Sequence, residues 1–299
     1  MADADSLAQT TALQKRLEAV ERLTALSERL FRIGRLDWDA VMDSDARQLA
    51  LNHAFRRQLE SIQAAVLLNR SDLGHLAVGF IRPALEEFMY LTFLLDLDKA
   101  KAQRLILIFG RWDGIRSLQA QRSYVGDEVM ESLWYPREFL ERAPVENDEV
   151  RSILKELQKE FGWAGGLLPT GAWIAERADQ RPLYDYLHAA SSRALHFSAG
   201  EVLRRSWGTP GESVVTDKPE FREHLADFAL HQLVLLFFEL WSVLEEHMDS
   251  AGIELDPQID EVEIDEVVAR IATLGQVPLV HAAEWNLTPD GPLRPPSSG

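Results

Sequence analysis

The chain contains no cysteine. That excludes a disulfide framework, a thiolate metal site and a thiol nucleophile, and it agrees with a reducing cytoplasm. A membrane-spanning run of about 20 apolar residues is also missing. The most apolar stretch, residues 228–244, is 17 residues long and interrupted by His231, Gln232 and Glu239, so it reads as a buried core helix with no membrane association. The first residues, MADADSLAQTT, hold no basic segment followed by an apolar one, so no secretory leader is expected. Positive charge is scarce: 31 Lys and Arg stand against 48 Asp and Glu, for a formal charge of −17. This argues against a broad electrostatic grip on nucleic acid, although it does not exclude a local basic groove. There is no glycine-rich phosphate loop, no Gly-x-Ser-x-Gly elbow and no dinucleotide fingerprint. No cofactor is expected.

What the sequence does have is helical periodicity, in a chain of 299 residues that is 46% hydrophobic. Leu13, Leu17, Val20, Leu23, Leu26 and Leu30 recur every three or four residues, which predicts an amphipathic helix over 6–33 that packs on its own domain. Further helices are expected over 38–69, 74–96, 98–124, 147–161, 181–205, 219–248 and 260–274. Pro83 should kink the helix over 74–96 or mark its first turn. No stretch alternates convincingly as a strand does, and a short hairpin near Val214 and Val215 stays open. The fold class is all-α, a helical bundle with long central helices. Three regions are expected: an amphipathic N-terminal helix (1–35), the main bundle (36–250) and an acidic, Pro-rich C-terminal segment (251–299). Residues 249–266 hold eight Asp or Glu and no Lys or Arg. Such a block reads as a solvated face or an interaction tail.

Two mid-chain stretches carry polar groups on otherwise apolar or small-residue faces. On the first, His75, Arg82, Glu86, Met89 and Phe93 lie within about 40° of one line on a helical wheel, with Arg82 and Glu86 spaced to pair. On the second, Asp185, Ser192 and His196 share a face, with Arg193 at its edge. A charge among Phe, Leu and Met has to be hydrogen-bonded or solvated. One reading joins Arg82, Glu86, Arg193 and His196 in a polar pocket between the helices. The other makes them a buried network that sets helix register. Arg104, Arg111 and Arg122 form a basic stripe within about 20° of one another, which reads as a solvated face paired with acids. The glycine-rich segment 162–171 reads as a connector or a lid.

Arg82-Pro-Ala-Leu-Glu86 followed by an apolar run, and later Tyr184 leading through Ser191 and Ser192 to His196, resemble a bacterial family of uncharacterised helical proteins. That family is similar to the HEPN superfamily of small helical bundles. The resemblance implies a HEPN-like fold and a metal-independent ribonuclease of toxin or phage-defence type. RNA and a second copy of the chain would be its partners. Arg82, Glu86, Arg193 and His196 are then the catalytic candidates, and Tyr184 and Ser192 the substrate-binding ones. In such a site a His moves protons at the ribose 2′-hydroxyl and the leaving oxygen, while an Arg stabilises charge on the phosphorane. Arg193 and His196 stand closer together than that family's Arg and His do. The wider spacing occurs at Arg47 with His53, Arg70 with His75 and Arg181 with His188.

Two other readings remain. In a non-catalytic interaction module, the N-terminal helix and the acidic segment would bind protein partners. Alternatively, His224, Asp227 and His231 fall on one helix face and could hold zinc or iron.

Overall fold

The apolar periodicity becomes ten α-helices among the described residues of a computed structural model of the chain. Those residues are 2–33, 45–133, 135–195, 206–207, 215–216, 219–246, 253–255 and 261–280. The helices are α1 (Ala2–Leu30), α2 (Ala46–Arg70), α3 (Val78–Leu95), α4 (Lys99–Val125), α5 (Asp127–Ser132), α6 (Arg137–Phe161), α7 (Gly171–Arg177), α8 (Arg181–Leu195), α9 (Pro219–Glu245) and α10 (Glu261–Ala272). A 3₁₀ turn at Gly74–Ala77 leads into α3. Two short antiparallel ladders complete the set, β1 (Phe31–Ile33) with β4 (Ile253–Leu255) and β2 (Ser206–Trp207) with β3 (Val215–Thr216). The fold is all-α.

Local chemistry places most boundaries. Asp45 caps α2 by accepting from the Arg47 amide at 3.0 Å, and Asp98 caps α4 by accepting from the Lys101 amide at 2.9 Å. Pro83 lies inside α3, where it removes the donor that would meet the Gly79 carbonyl. Three expectations are corrected. The helix expected to run to residue 33 ends at Leu30, and Phe31–Ile33 pairs with Ile253–Leu255. The acidic region read as a solvated face or tail therefore supplies a strand, while the helix expected over 260–274 is α10. Helix α6 begins at Arg137 rather than residue 147, and Pro144 is accommodated within it. There the regular burial of Leu140, Ala143, Val150, Leu154 and Leu157 outweighs the proline penalty of about 3 kcal/mol. The loop-rich stretch before α6 contains α5, and α7 follows the glycine-rich segment.

The chain forms two compact units. One comprises residues 1–36, 48–89 and 182–299; the other comprises 37–47 and 90–181. In the second, Leu105, Ile108, Trp112, Ile115 and Leu118 of α4 are buried, and α6 packs along this helix. Trp163 is buried beneath the glycine-rich segment, with its ring 6.2 Å from Phe109 and 5.8 Å from Trp173. Its indole N–H donates to the Gly166 carbonyl at 3.2 Å, so this segment is a packed connector. The basic stripe is paired as expected at two points: Arg104 with Glu156 and Glu160, and Arg122 with Asp127.

In the first unit α1 packs on α9 and α10, burying Leu17, Val20, Leu23 and Leu26. Arg16, only 1% exposed, lies in the same buried face. Its Nε donates to Asp227 Oδ1 at 2.6 Å, Nη1 donates to His231 Nδ1 at 3.1 Å, and Nη2 reaches the carbonyls of Leu274 and Gly275 at 3.3 Å each. Because His231 Nδ1 accepts from Arg16, its proton belongs on Nε2, which donates to Gln276 Oε1 at 3.3 Å. Burial, and next the Arg16 charge, hold the His231 pKa below its ordinary 6.5.

Removing one partner of a buried charge set strands the others. Arg16→Met should therefore cost about 3–5 kcal/mol in denaturant unfolding, far more than the same change at the exposed Arg22. His231 adds a pH dependence. Below pH 6.5 the unfolded chain takes up a proton that the folded one resists, so stability falls as pH falls through that range. His231→Gln should flatten this part of the stability–pH curve in chemical denaturation.

Candidate functional site

Helix α3 is apolar on most sides because nearly every residue from Phe88 to Leu95 is hydrophobic, and Ile81, Leu85, Phe88 and Met89 are buried. Arg82 and Glu86 are four apart on its remaining face, and Arg82 Nε donates to Glu86 Oε1 at 2.9 Å. The side chains are 30% and 39% exposed. The pair is thus held on one helix yet reaches solvent, and as an i,i+4 pair it contributes only about 0.3–0.5 kcal/mol. A guanidinium and a carboxylate kept in register at so small a gain can exchange that contact for one to a bound group.

The other sequence candidates belong to α8 and the residues after it. Tyr184 is half-buried, with its ring 4.8 Å from that of His188. Ser191 is fully buried and donates to the Leu187 carbonyl at 2.7 Å, while Ser192, one position on, is half-buried. The side chain of Arg193 and the whole of His196 lie outside the described residues. The expected meeting of Arg82 and Glu86 with Arg193 and His196 lies there too.

One titratable group next to this pair escaped the sequence reading. Glu87 stands between Ala84 and Leu91 at helical spacing, on the buried side of α3, and its side chain is 16% exposed. The Arg57 Nε lies 2.9 Å from Glu87 Oε1, but the two are misaligned for a hydrogen bond. Burial pushes the Glu87 pKa up to about 7, against the opposing pull of Arg57, and the neighbouring Glu86 charge adds to the rise. A carboxyl poised near neutrality can give or take a proton at working pH. The signal available in the sequence was an acid at a core-facing position next to another acid.

A second polar place forms at the 3₁₀ turn. Gly74 leaves room there for the Asn69 side chain, which would collide with any added Cβ. His75, 8% exposed, accepts at Nδ1 from Arg222 Nε of α9 at 3.4 Å, and Arg222 Nη2 donates to the Asp72 carbonyl at 2.5 Å. These groups line a cleft of 260 Å³ together with Asn69 and Glu223. Two of the three Arg and His pairs picked out by spacing are divided among other partners: Arg70 holds Glu21, Arg47 holds Asp45, and His75 meets Arg222.

Asp227 and His231, read as candidate metal ligands, both face the Arg16 guanidinium. A cation of the protein thus occupies the position a metal would need, which corrects that reading. Among the described residues no three His, Asp or Glu side chains gather as a metal-binding group.

A family of unknown function, DUF5677, matches residues 48–213. The chain belongs to this family. The DUF5677 span covers more than half of the chain and includes Arg82, Glu86, Glu87, Tyr184, Ser192, Arg193 and His196, while Arg16, Arg222, Asp227 and His231 fall outside it. No curated protein and no solved structure matches the chain significantly.

Glu87 gives the α3 cluster a measurable pH signature. The folded chain keeps this carboxyl protonated up to about 7 whereas the ordinary value is 4.5, so between those values the folded state binds more protons and stability falls as pH rises. Glu87→Gln, which mimics the protonated form, should be more stable than the parent by on the order of 1–3 kcal/mol at pH 8 and about equal at pH 4 in chemical denaturation.

Proposed function

We propose that the chain is a cytoplasmic, HEPN-like helical effector that cleaves RNA without a metal, using the polar face of α3 together with the stretch from Tyr184 to His196. The observation that carries this reading is the solvent-reaching Arg82–Glu86 pair at 2.9 Å, inside the DUF5677 span and next to a carboxyl with a pKa near 7. In the proposed reaction a base, Glu86 or His196, removes the ribose 2′-hydroxyl proton and the 2′-oxygen attacks phosphorus. The 5′-oxygen leaves with a proton supplied by an acid, giving a 2′,3′-cyclic phosphate and a 5′-hydroxyl end. Arg82 and Arg193 stabilise the charge that builds on the phosphoryl oxygens. Tyr184 and Ser192 hold the strand. The formal charge of −17 confines RNA contact to such a local site, and a second copy of the chain could complete it.

A non-catalytic interaction module is the second reading. Exposed apolar residues in the second unit favour it: Tyr124 at 91%, Val145 at 61% and Phe139 at 45%, the last lining a groove of 300 Å³ between α4 and α6.

Purified full-length protein should cut labelled single-stranded RNA in the presence of a chelator. His196→Ala and Glu86→Gln should each slow cleavage by about 10²–10⁴-fold while the circular dichroism spectrum is kept. Parent protein that leaves RNA intact, or a His196→Ala variant that cuts at the parent rate, would remove the catalytic reading and favour the module.

A further inference from the structure

Arg57 of α2 is a guanidinium, 50% exposed, whose charge has little to answer it. Its Nε stands 2.9 Å from Glu87 Oε1 on α3, yet the two are misaligned for a hydrogen bond, and no side-chain N–H of Arg57 donates to any described residue. Arginine carries five such donors and keeps its proton at any working pH. The nearest acid along α2, Glu60, is held by Arg56 at 3.1 Å. The charged groups that face Glu87 are Arg57 from α2 and Glu86 on its own helix, and burial raises this carboxyl to a pKa of about 7. Near neutral pH, therefore, the one ion-pair partner of Arg57 among the described residues is uncharged in a large share of molecules.

Place distinguishes this arginine from an ordinary surface one. Gln58, its neighbour in the chain, is buried and donates to the Ala84 carbonyl of α3 at 3.0 Å, so α2 is fixed against α3 where Arg82, Glu86 and Glu87 follow one another. All five residues belong to one unit and to the DUF5677 span. A planar guanidinium with open donors suits a phosphate, which accepts two parallel N–H bonds. Resting on the RNA-cleaving reading of the α3 face, we infer that Arg57 is a substrate-binding residue that holds a backbone phosphate of the bound strand. The contact reads no base, so what it adds is independent of sequence. Ionisation of Glu87 opposes it twice, by compensating the Arg57 charge and by repelling the phosphate.

The test is fluorescence anisotropy of the purified full-length protein at pH 8 with a short labelled 2′-O-methyl oligonucleotide, whose blocked 2′-oxygens prevent cleavage and let binding be read by itself. Arg57→Gln should raise the Kd about 10-fold and lower the slope of log Kd against log salt concentration by about 0.7, the share of one single-strand phosphate contact. Arg57→Lys, which keeps a point charge, should restore the slope. Glu87→Gln removes the competing carboxylate and should bind at least as tightly as the parent, whereas loss of a merely structural Arg57–Glu87 contact would weaken binding in both variants. The inference is overturned if the parent does not bind the oligonucleotide, if Arg57→Gln keeps the parent's Kd and slope, or if Glu87→Gln weakens binding as Arg57→Gln does. Cleavage of unmodified RNA is scored separately. Arg57-dependent binding without cleavage keeps this inference and removes the nuclease reading, while cleavage with Arg57-independent binding does the reverse.

Discussion

A single guanidinium organises the first unit. Arg16 enters a face that is otherwise Leu17, Val20, Leu23 and Leu26, and its contacts reach a carboxylate and an imidazole on α9 and two carbonyls after α10. Planarity matters here, since five donors in a fixed fork can serve four acceptors at once whereas a lysine ammonium could not. The contact also explains how α9, apolar enough in length and composition to cross a bilayer, can carry Asp227 and His231 within that apolar length. Asp227 and His231 are both answered by Arg16, and these contacts join α1, α9 and the C-terminal turn.

The α3 cluster obeys the opposite rule. Arg82 and Glu86 are only partly covered, so their pairing is weak and exchangeable, whereas Glu87, one position along, is covered enough to resist ionisation. A helix turns about 100° per residue, and that alone separates a solvated carboxylate from a carboxyl poised near neutrality. A carboxyl poised near neutrality beside a solvent-reaching ion pair is raw material for acid–base chemistry.

Much of this was legible in the residues and some was not. Helix spans for α4, α9 and α10 follow from apolar spacing and from capping acids such as Asp98, because both act within one or two turns, whereas the helix expected over 38–69 starts at Ala46 as α2. The Arg82–Glu86 pair is likewise local, at four residues' separation. Arg16 could not be read in the same way. Its spacing places it next to Leu17 on the inner side of α1, yet an arginine there looks like the rim of an amphipathic helix until Asp227 is known to stand opposite, 211 positions later. The metal reading of His224, Asp227 and His231 failed for that reason: the face was identified, but the cation on it came from another helix.

Composition and periodicity alone determined the all-α class, the lack of thiol chemistry and the placing of an ionic pair on α3, since each depends on residue type or on neighbours within a turn. Tertiary structure alone decided that Phe31–Ile33 leaves the helix to pair with Ile253–Leu255, that Arg222 rather than Arg70 meets His75, and that Glu87 is half-buried beside Arg57. In each case the partner is distant in the chain. Whether a side chain is charged, paired or sheltered depends on what the fold brings against it.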